Sequence, residues 1–302
     1  MELSNEISKI CKQRMLNILQ FFMKFCDKHS LTWYCCGGTA LGAVRHHGFI
    51  PWDDDIDVMM PRPDYDRFIR LFKEELVEEY ELIYPEITNS FYLPFCKIME
   101  KNSTILERRK TPCVLGLFVD VFPIDGFPDP SSDEAKHFIA SFGKQRKMLS
   151  EVSSHENLLD IAFLFSKFQL KKAVNALNNK INRKKIRKSL LKEMEDAPYN
   201  YPFDSQSDVV VREFPDAKRP FKKDWLAPYV LCDFEDIKVR IPNNCDAYLK
   251  SLYGDYMQLP PLHERISAHM EDMFYFNLHN RMTYDEIMNQ TSWQDRYFGK
   301  KH

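Results

Sequence analysis

Asp53, Asp54, Asp55 and Asp57 crowd four carboxylates into the stretch PWDDDIDVMM. From Asp55 onward, DIDVMM alternates charged and apolar residues at period two, the pattern of a strand. Residues two apart on a strand project from the same face, so Asp55 and Asp57 stand side by side. Two like charges so close are costly unless something neutralises them, and a shared divalent cation does so. Oxygen-only ligands suit Mg²⁺ or Mn²⁺, and Mg²⁺ takes one or two carboxylates plus substrate phosphates. A solvated acidic turn is the plain alternative for DDDID taken by itself.

The residues upstream favour the metal. LTWYCC is short and aromatic and predicts a buried strand, which Gly37 and Gly38 end. A turn without side chains lets backbone N–H groups approach a phosphate at the start of the short helix expected over residues 39–45. Arg45 supplies a fixed positive charge for the same phosphates. Other glycine and acid motifs fail on spacing. Gly37, Gly38 and Gly42 do not make GxGxxG, and no GK[ST] follows. Val58 stands where a calcium loop needs glycine, and Asp64 where it needs a bidentate glutamate. Asp53 lies outside the strand alternation and is expected to order the loop. Two metal ligands leave a nucleophile without a base, so a third carboxylate is expected on a neighbouring strand. Asp120 in LFVDVF is the first candidate, with a salt bridge or cap as its structural alternative, and Asp125 is the runner-up.

Elsewhere, apolar residues at helical spacing predict an amphipathic helix over 4–28. Another is predicted over 62–76, with Pro63 in its first turn. Strands are expected at ELIYP, PFCKIME, STILE and LFVDVFPID, the last ending at Pro123. Residues 131–196 are polar, helix-rich and nearly free of Gly and Pro, after which VVVRE and DIKVRI restore strand signals. The 302 residues are 44% apolar and 28% charged, as in globular proteins, and Lys+Arg 42 against Asp+Glu 44 gives no charge excess that would favour nucleic acid. The eight cysteines form no CxxC pair or zinc spacing, so they read as reduced core thiols in a cytoplasmic protein. No signal peptide or membrane span is apparent. Adjacent Cys35 and Cys36 are given no redox or metal role. Between Lys167 and Lys192 stand ten Lys/Arg and no acid, directly after the apolar LLDIAFLF. Residues 158–192 are therefore expected either to make peripheral contact with an anionic membrane or to form a solvated helix with acidic partners elsewhere.

The glycine pair, the short helix, the arginine, PWDDDID, VDVFPID, and a distal YGDYMQLPP followed by HER and His269 together resemble the LicD family of phosphotransferases. The resemblance spans about residues 32–125 and, more weakly, 231–270. It implies an α+β fold, a nucleotidyltransferase-like mixed sheet flanked by helices, with a helical insertion or subdomain. The expected divisions are a catalytic core at 1–130, a basic helical insertion at 131–205, and a part completing the core at 206–302. The implied activity is metal-dependent transfer of a phosphorylated small group, typically phosphocholine, from a CDP- or CMP-activated donor. The acceptor would be a cell-surface glycan or its lipid-linked precursor. Carried over by motif, Gly37, Gly38 and Thr39 cradle phosphate, Asp55 and Asp57 hold Mg²⁺, and Asp120 completes the triad as ligand or base. Lys97 matches a family lysine that neutralises phosphate, though a lone strand lysine is otherwise a snorkelling side chain. Tyr253, Gly254, Asp255 and Pro261 read as architecture, and His269 as a satisfied histidine. Nucleotidyl transfer and non-catalytic ligand or membrane binding remain the alternatives.

Overall fold

The helix expected over 4–28 forms as α1, Asn5–Lys28, and buries Met15, Ile18, Leu19, Phe22 and Phe25 on one face. In the computed structural model, residues 5–154, 161–162, 165–204, 208–212, 219–266 and 273–290 are described. Helix α3, Arg62–Glu74, starts with Pro63 in its first turn, where a missing N–H removes no helical bond. It sets Phe68 edge-on to Phe22 at 5.3 Å and to Phe25 at 5.5 Å between ring centroids. Each such pair adds roughly 0.5–1.5 kcal/mol beyond the area it buries. These aromatic rows hold α1 and α3 together as one layer.

The main sheet comprises β1 (Tyr34–Cys35), β2 (Asp57–Pro61), β3 (Tyr80–Ile83), β4 (Cys96–Glu100) and β6 (Phe118–Gly126), in the order β1-β2-β6-β4-β3. Strands β7 (Val209–Arg212) and β8 (Phe221–Lys222) extend it beyond β6. The sheet is mixed: β2 and β6 run parallel and the other pairs antiparallel. Strand β6 does not stop at Pro123 but continues through Asp125 to Gly126. One flank of β6 pairs with β4 as far as Val121 and with β7 from Ile124, so the proline falls in the gap between two partners.

Side-chain alternation decides which face the helices cover. On β4, Glu100 accepts from Arg14 Nε of α1 at 2.9 Å, and Cys96 on the same face hydrogen-bonds Tyr65 of α3. Asp125 shares that face and takes both arms of Arg62, each at 2.7 Å. Lys97 and Asp120 alternate with these residues and therefore face the other way.

Helices α4 (Asp133–Ser153) and α5 (Leu170–Asn200) leave β6 and return to β7. Ser132 caps α4 by accepting from Ala135 N. Buried Arg187 of α5 donates to the carbonyls of Pro85, Thr88 and Phe91 at 2.8–2.9 Å and to Ser153 Oγ at 2.6 Å. That one side chain ties the helical pair to the segment between β3 and β4. Further on, β9 (Val230–Phe234) and β10 (Ile237–Ile241) form a hairpin, and α6 spans Cys245–Tyr253. Strand β11 (Tyr275–Asn277) pairs with β5 (Thr104–Leu106) ahead of α7, Tyr284–Gln290. None of the eight cysteines is in a disulfide and all but Cys232 are buried, with burial pushing the Cys11 thiol up to about 11. No described helix is long and apolar enough to cross a membrane.

The Asp125–Arg62 pair is architectural. Asp125→Ala would leave the Arg62 guanidinium with only the exposed Asp66 at 3.7 Å, and should cost about 3 kcal/mol in a denaturant titration. Asp233→Ala, which breaks the exposed Lys238–Asp233 pair, should leave stability unchanged. Equal effects of the two substitutions would show that the Asp125–Arg62 pair does not anchor α3.

Candidate active site

Three adjacent strands bring Asp57, Asp120 and Lys97 into a single row. Asp57 of β2 is in register with Asp120 of β6, which is in register with Lys97 of β4. Registered neighbours point to the same side of a sheet, so two carboxylates and an ammonium share the face away from α1 and α3. Lys97 is buried and its Nζ lies 2.6 Å from Asp120 Oδ1. Phe118, two residues before Asp120, presents its ring 3.4 Å below the same ammonium, and Phe95 lies 5.6 Å away. Aromatic faces and one carboxylate oxygen thus replace the water that the cation loses. Asp125, by contrast, is held by Arg62 on the opposite face and does not join the row.

Strand β2 begins at Asp57, not Asp55. Its partner β1 is only two residues long, and the bond from Cys36 N to Asp57 O at 3.1 Å is the last on that side before helix α2 (Gly37–His46) starts. On the other side, Asp120 N donates to Ile56 O, so the chain stays alongside β6 ahead of the strand proper. Burial alternates throughout: Asp54, Ile56 and Val58 are buried, while Asp53, Asp55 and Asp57 are half-buried. The period-two pattern therefore includes Asp53, which the sequence reading set apart. The repeated aspartates at 53, 55 and 57 carried that signal.

Helix α2, Gly37–His46, begins two residues earlier than expected and includes both glycines. Gly37 has φ of 53°, a left-handed conformation that glycine adopts without strain. A Cβ on Gly38 would stand 2.4 Å from Asp53 Oδ2, so the second glycine makes room for this carboxylate beside the first turn of α2. An acid there is favoured by the positive end of the helix. Thr39 Oγ1 accepts from Asp57 N at 2.8 Å, joining the helix start to the first residue of β2.

Arg45 is directed elsewhere. Its guanidinium donates to the carbonyls of Tyr256 at 2.5 Å and Gln258 at 3.4 Å, which fastens the YGDYMQLPP segment to α2. The guanidinium of Arg265 lies over Trp52 at 5.3 Å, so the HER segment meets the loop just before Asp53. Gly254 has φ of 66° beyond the last turn of α6, where glycine ends the helix. His269 lies outside the described residues. Tyr248 of α6 was not anticipated: it is buried against Phe221, and its hydroxyl accepts from Gly37 N at 3.4 Å. A tyrosine on the apolar stripe of a helix carries nothing in the sequence that points to a glycine turn 211 residues away.

Among the described residues, no three His, Cys, Asp or Glu side chains are gathered as a group that could hold a metal. The donor pair at the start of β2 and just ahead of it, Asp57 and Asp55, is nevertheless all-oxygen. Oxygen donors of this kind are the type that suits a hard cation such as Mg²⁺.

Alanine is a better helix former than glycine by roughly 1 kcal/mol, so Gly38→Ala would stabilise an unconstrained helix. Here it should lower the melting temperature, because the new methyl displaces Asp53. The double variant Gly38→Ala/Asp53→Ala should melt higher than Gly38→Ala alone. A Gly38→Ala protein more stable than wild type would remove the proposed packing of Asp53 on α2.

Residues 30–124 match the family described as LicD/FKTN/FKRP, nucleotidyltransferase domain. The chain is 29% identical over 281 residues to the lipopolysaccharide cholinephosphotransferase LicD of Haemophilus influenzae, covering 86% of this chain and 94% of that protein. An uncharacterised protein of Rickettsia typhi is 25% identical over 122 residues, which is 39% of this chain and 38% of that one. The matched segment contains α2 with its glycines, Asp55, Asp57, Lys97 and Asp120 together. The chain carries a LicD-family domain over residues 30–124.

Proposed function

We propose that the protein is a phosphotransferase that moves phosphocholine, or a similarly small substituted phosphate, from a CDP- or CMP-activated donor to a hydroxyl of lipopolysaccharide or a related glycan or lipid-linked precursor. The observation that carries this reading is the registered row Asp57–Asp120–Lys97 beside the glycine-led start of α2. The name of the Haemophilus influenzae relative supplies the donor group and the acceptor class. A mixed sheet with acids on two adjacent parallel strands supports a nucleotidyltransferase-like core. The pairing of β7 with β6 after the two long helices supports an insertion at 131–205 and a completing segment at 206–302.

The residues take distinct roles. Asp55 and Asp57 would hold Mg²⁺, or Mn²⁺ in its place, and the ion would offset charge on the donor phosphates. The first turn of α2, which Gly37 leads into, would present the backbone N–H groups of Gly38 and Thr39 and the positive end of a helix to phosphate. Asp120, bonded to Lys97 through Oδ1, retains acceptor capacity for the acceptor hydroxyl. The hydroxyl oxygen attacks the phosphorus that bears the small group and passes its proton to Asp120. A new O–P bond forms as the bond to CMP breaks, and CMP leaves with the electron pair. Lys97 balances the charge of Asp120 within the row. Arg45, engaged with Tyr256 and Gln258, acts by holding the distal segment in place.

Turnover of CDP-choline with lipopolysaccharide, read as CMP release and choline incorporation, tests the proposal. Asp57→Asn should lower turnover at least about a hundredfold at unchanged far-UV circular dichroism, since several kcal/mol of charge stabilisation are lost. EDTA should abolish turnover and Mg²⁺ restore it. Near-wild-type turnover by Asp57→Asn would contradict the metal assignment. A nucleotidylated acceptor would establish nucleotidyl transfer instead, and donor binding without turnover across CDP- and CMP-linked donors would establish a binding protein.

A further inference from the structure

Helix α5 has two apolar faces, and only one of them is packed inside the protein. Ala173, Leu190 and Met194 are buried, the last two with Leu149 of α4, and Arg187 on the same side is anchored to the segment between β3 and β4. Turned toward solvent beside this packed side, Leu170, Val174, Leu177 and Ile181 recur at helical spacing with exposures of 57, 56, 36 and 72%. Just ahead of them Phe168 is 89% exposed and Phe165 41%. A lone exposed leucine is ordinary, but a stripe of this regularity that ends in a bare phenylalanine marks a contact surface.

The continuation of this outward face identifies the contact. One turn beyond Ile181 it changes to Lys184, Lys185, Lys188 and Lys192, all exposed, with Lys171 at the edge of the apolar part. Between 167 and 192 the sequence holds ten Lys/Arg and no Asp or Glu, and Glu193 is rotated off the lysine face by the helical period. The nearby acids of α4, Asp133, Glu134 and Glu151, belong to a helix packed against the other side of α5. An apolar leading half followed by a uniformly cationic half complements a bilayer whose surface is anionic and whose interior is apolar. A protein groove would have to supply acids in one place and a greasy channel in the next.

We infer that Phe168, Leu170, Val174, Leu177 and Ile181 insert into the interfacial layer of an anionic membrane while Lys184, Lys185 and Lys188 lie on its headgroups. The leading residues Leu158–Asp160, Phe163 and Leu164 of LLDIAFLF lie outside the described residues, and the inference does not use them. Nor does it rest on the transfer reaction: a chain without that activity would carry the same surface.

The test is co-sedimentation of the full chain with vesicles of phosphatidylglycerol mixed into phosphatidylcholine, compared with phosphatidylcholine alone. Wild type should bind the anionic vesicles and weaken as salt rises. Lys184→Gln/Lys185→Gln/Lys188→Gln should bind about a hundredfold more weakly, at about fivefold per lysine. Leu177→Asp/Ile181→Asp should lose binding at unchanged circular dichroism, because neither side chain is in the core. Ile181→Trp should add emission that shifts to the blue with anionic vesicles and not with neutral ones. Equal binding to both vesicle types, or no binding at low salt, would overturn the inference. So would a wild-type dimer that Leu177→Asp/Ile181→Asp converts to monomer without altering vesicle binding.

Discussion

The buried ion pair between Lys97 and Asp120 is the interaction around which the site is arranged. Taking an ammonium and a carboxylate out of water costs several kcal/mol per ion, and their contact repays this only with good geometry. Here the register of β4 on β6 fixes the two backbones, and the rings of Phe118 and Phe95 enclose the lysine. The parallel pairing of β2 with β6 then adds Asp57 to the same row. One face of the sheet carries this charge and the other takes α1, α3 and the Arg62–Asp125 pair. Two acids five residues apart on one strand thus have unrelated duties, decided by an odd separation in a period-two element.

The distal part of the chain acts as scaffold for this arrangement. Tyr248 meets Gly37 N, Arg45 takes the carbonyls of Tyr256 and Gln258, and Arg265 covers Trp52. These contacts fix the start of α2 and the loop into β2 from a segment some 200 residues later. Thr39 and Gly38 complete the link locally, one by accepting from Asp57 N and the other by leaving space for Asp53. Segments some 200 residues apart in the chain are therefore joined around the start of α2.

Much of this was legible in the sequence, for local reasons. The period of DIDVMM, the stop at Gly37, Pro63 near a helix start and the apolar stripe of residues 4–28 each report on their own element. The element strength that long-range pairing controls was not legible. Strand β2 starts at Asp57 because β1 is short, and β6 passes Pro123 because its partners change there. Arg45 looked available to phosphate, whereas its guanidinium is shared between the neighbouring His46 ring and two carbonyls 211 and 213 residues away. Lys97 stood in a strand without a visible partner, and only the order of strands brings Asp120 to it.

The claim that Asp120 and Lys97 work as one unit is tested most directly by a double-mutant cycle on the rate of the proposed phosphocholine transfer. Lys97→Met and Asp120→Asn should each remove most of the activity, and the double variant should be little worse than either, because residues that act together lose their function once. Losses that multiply in the double variant would contradict the account and make the two side chains independent contributors.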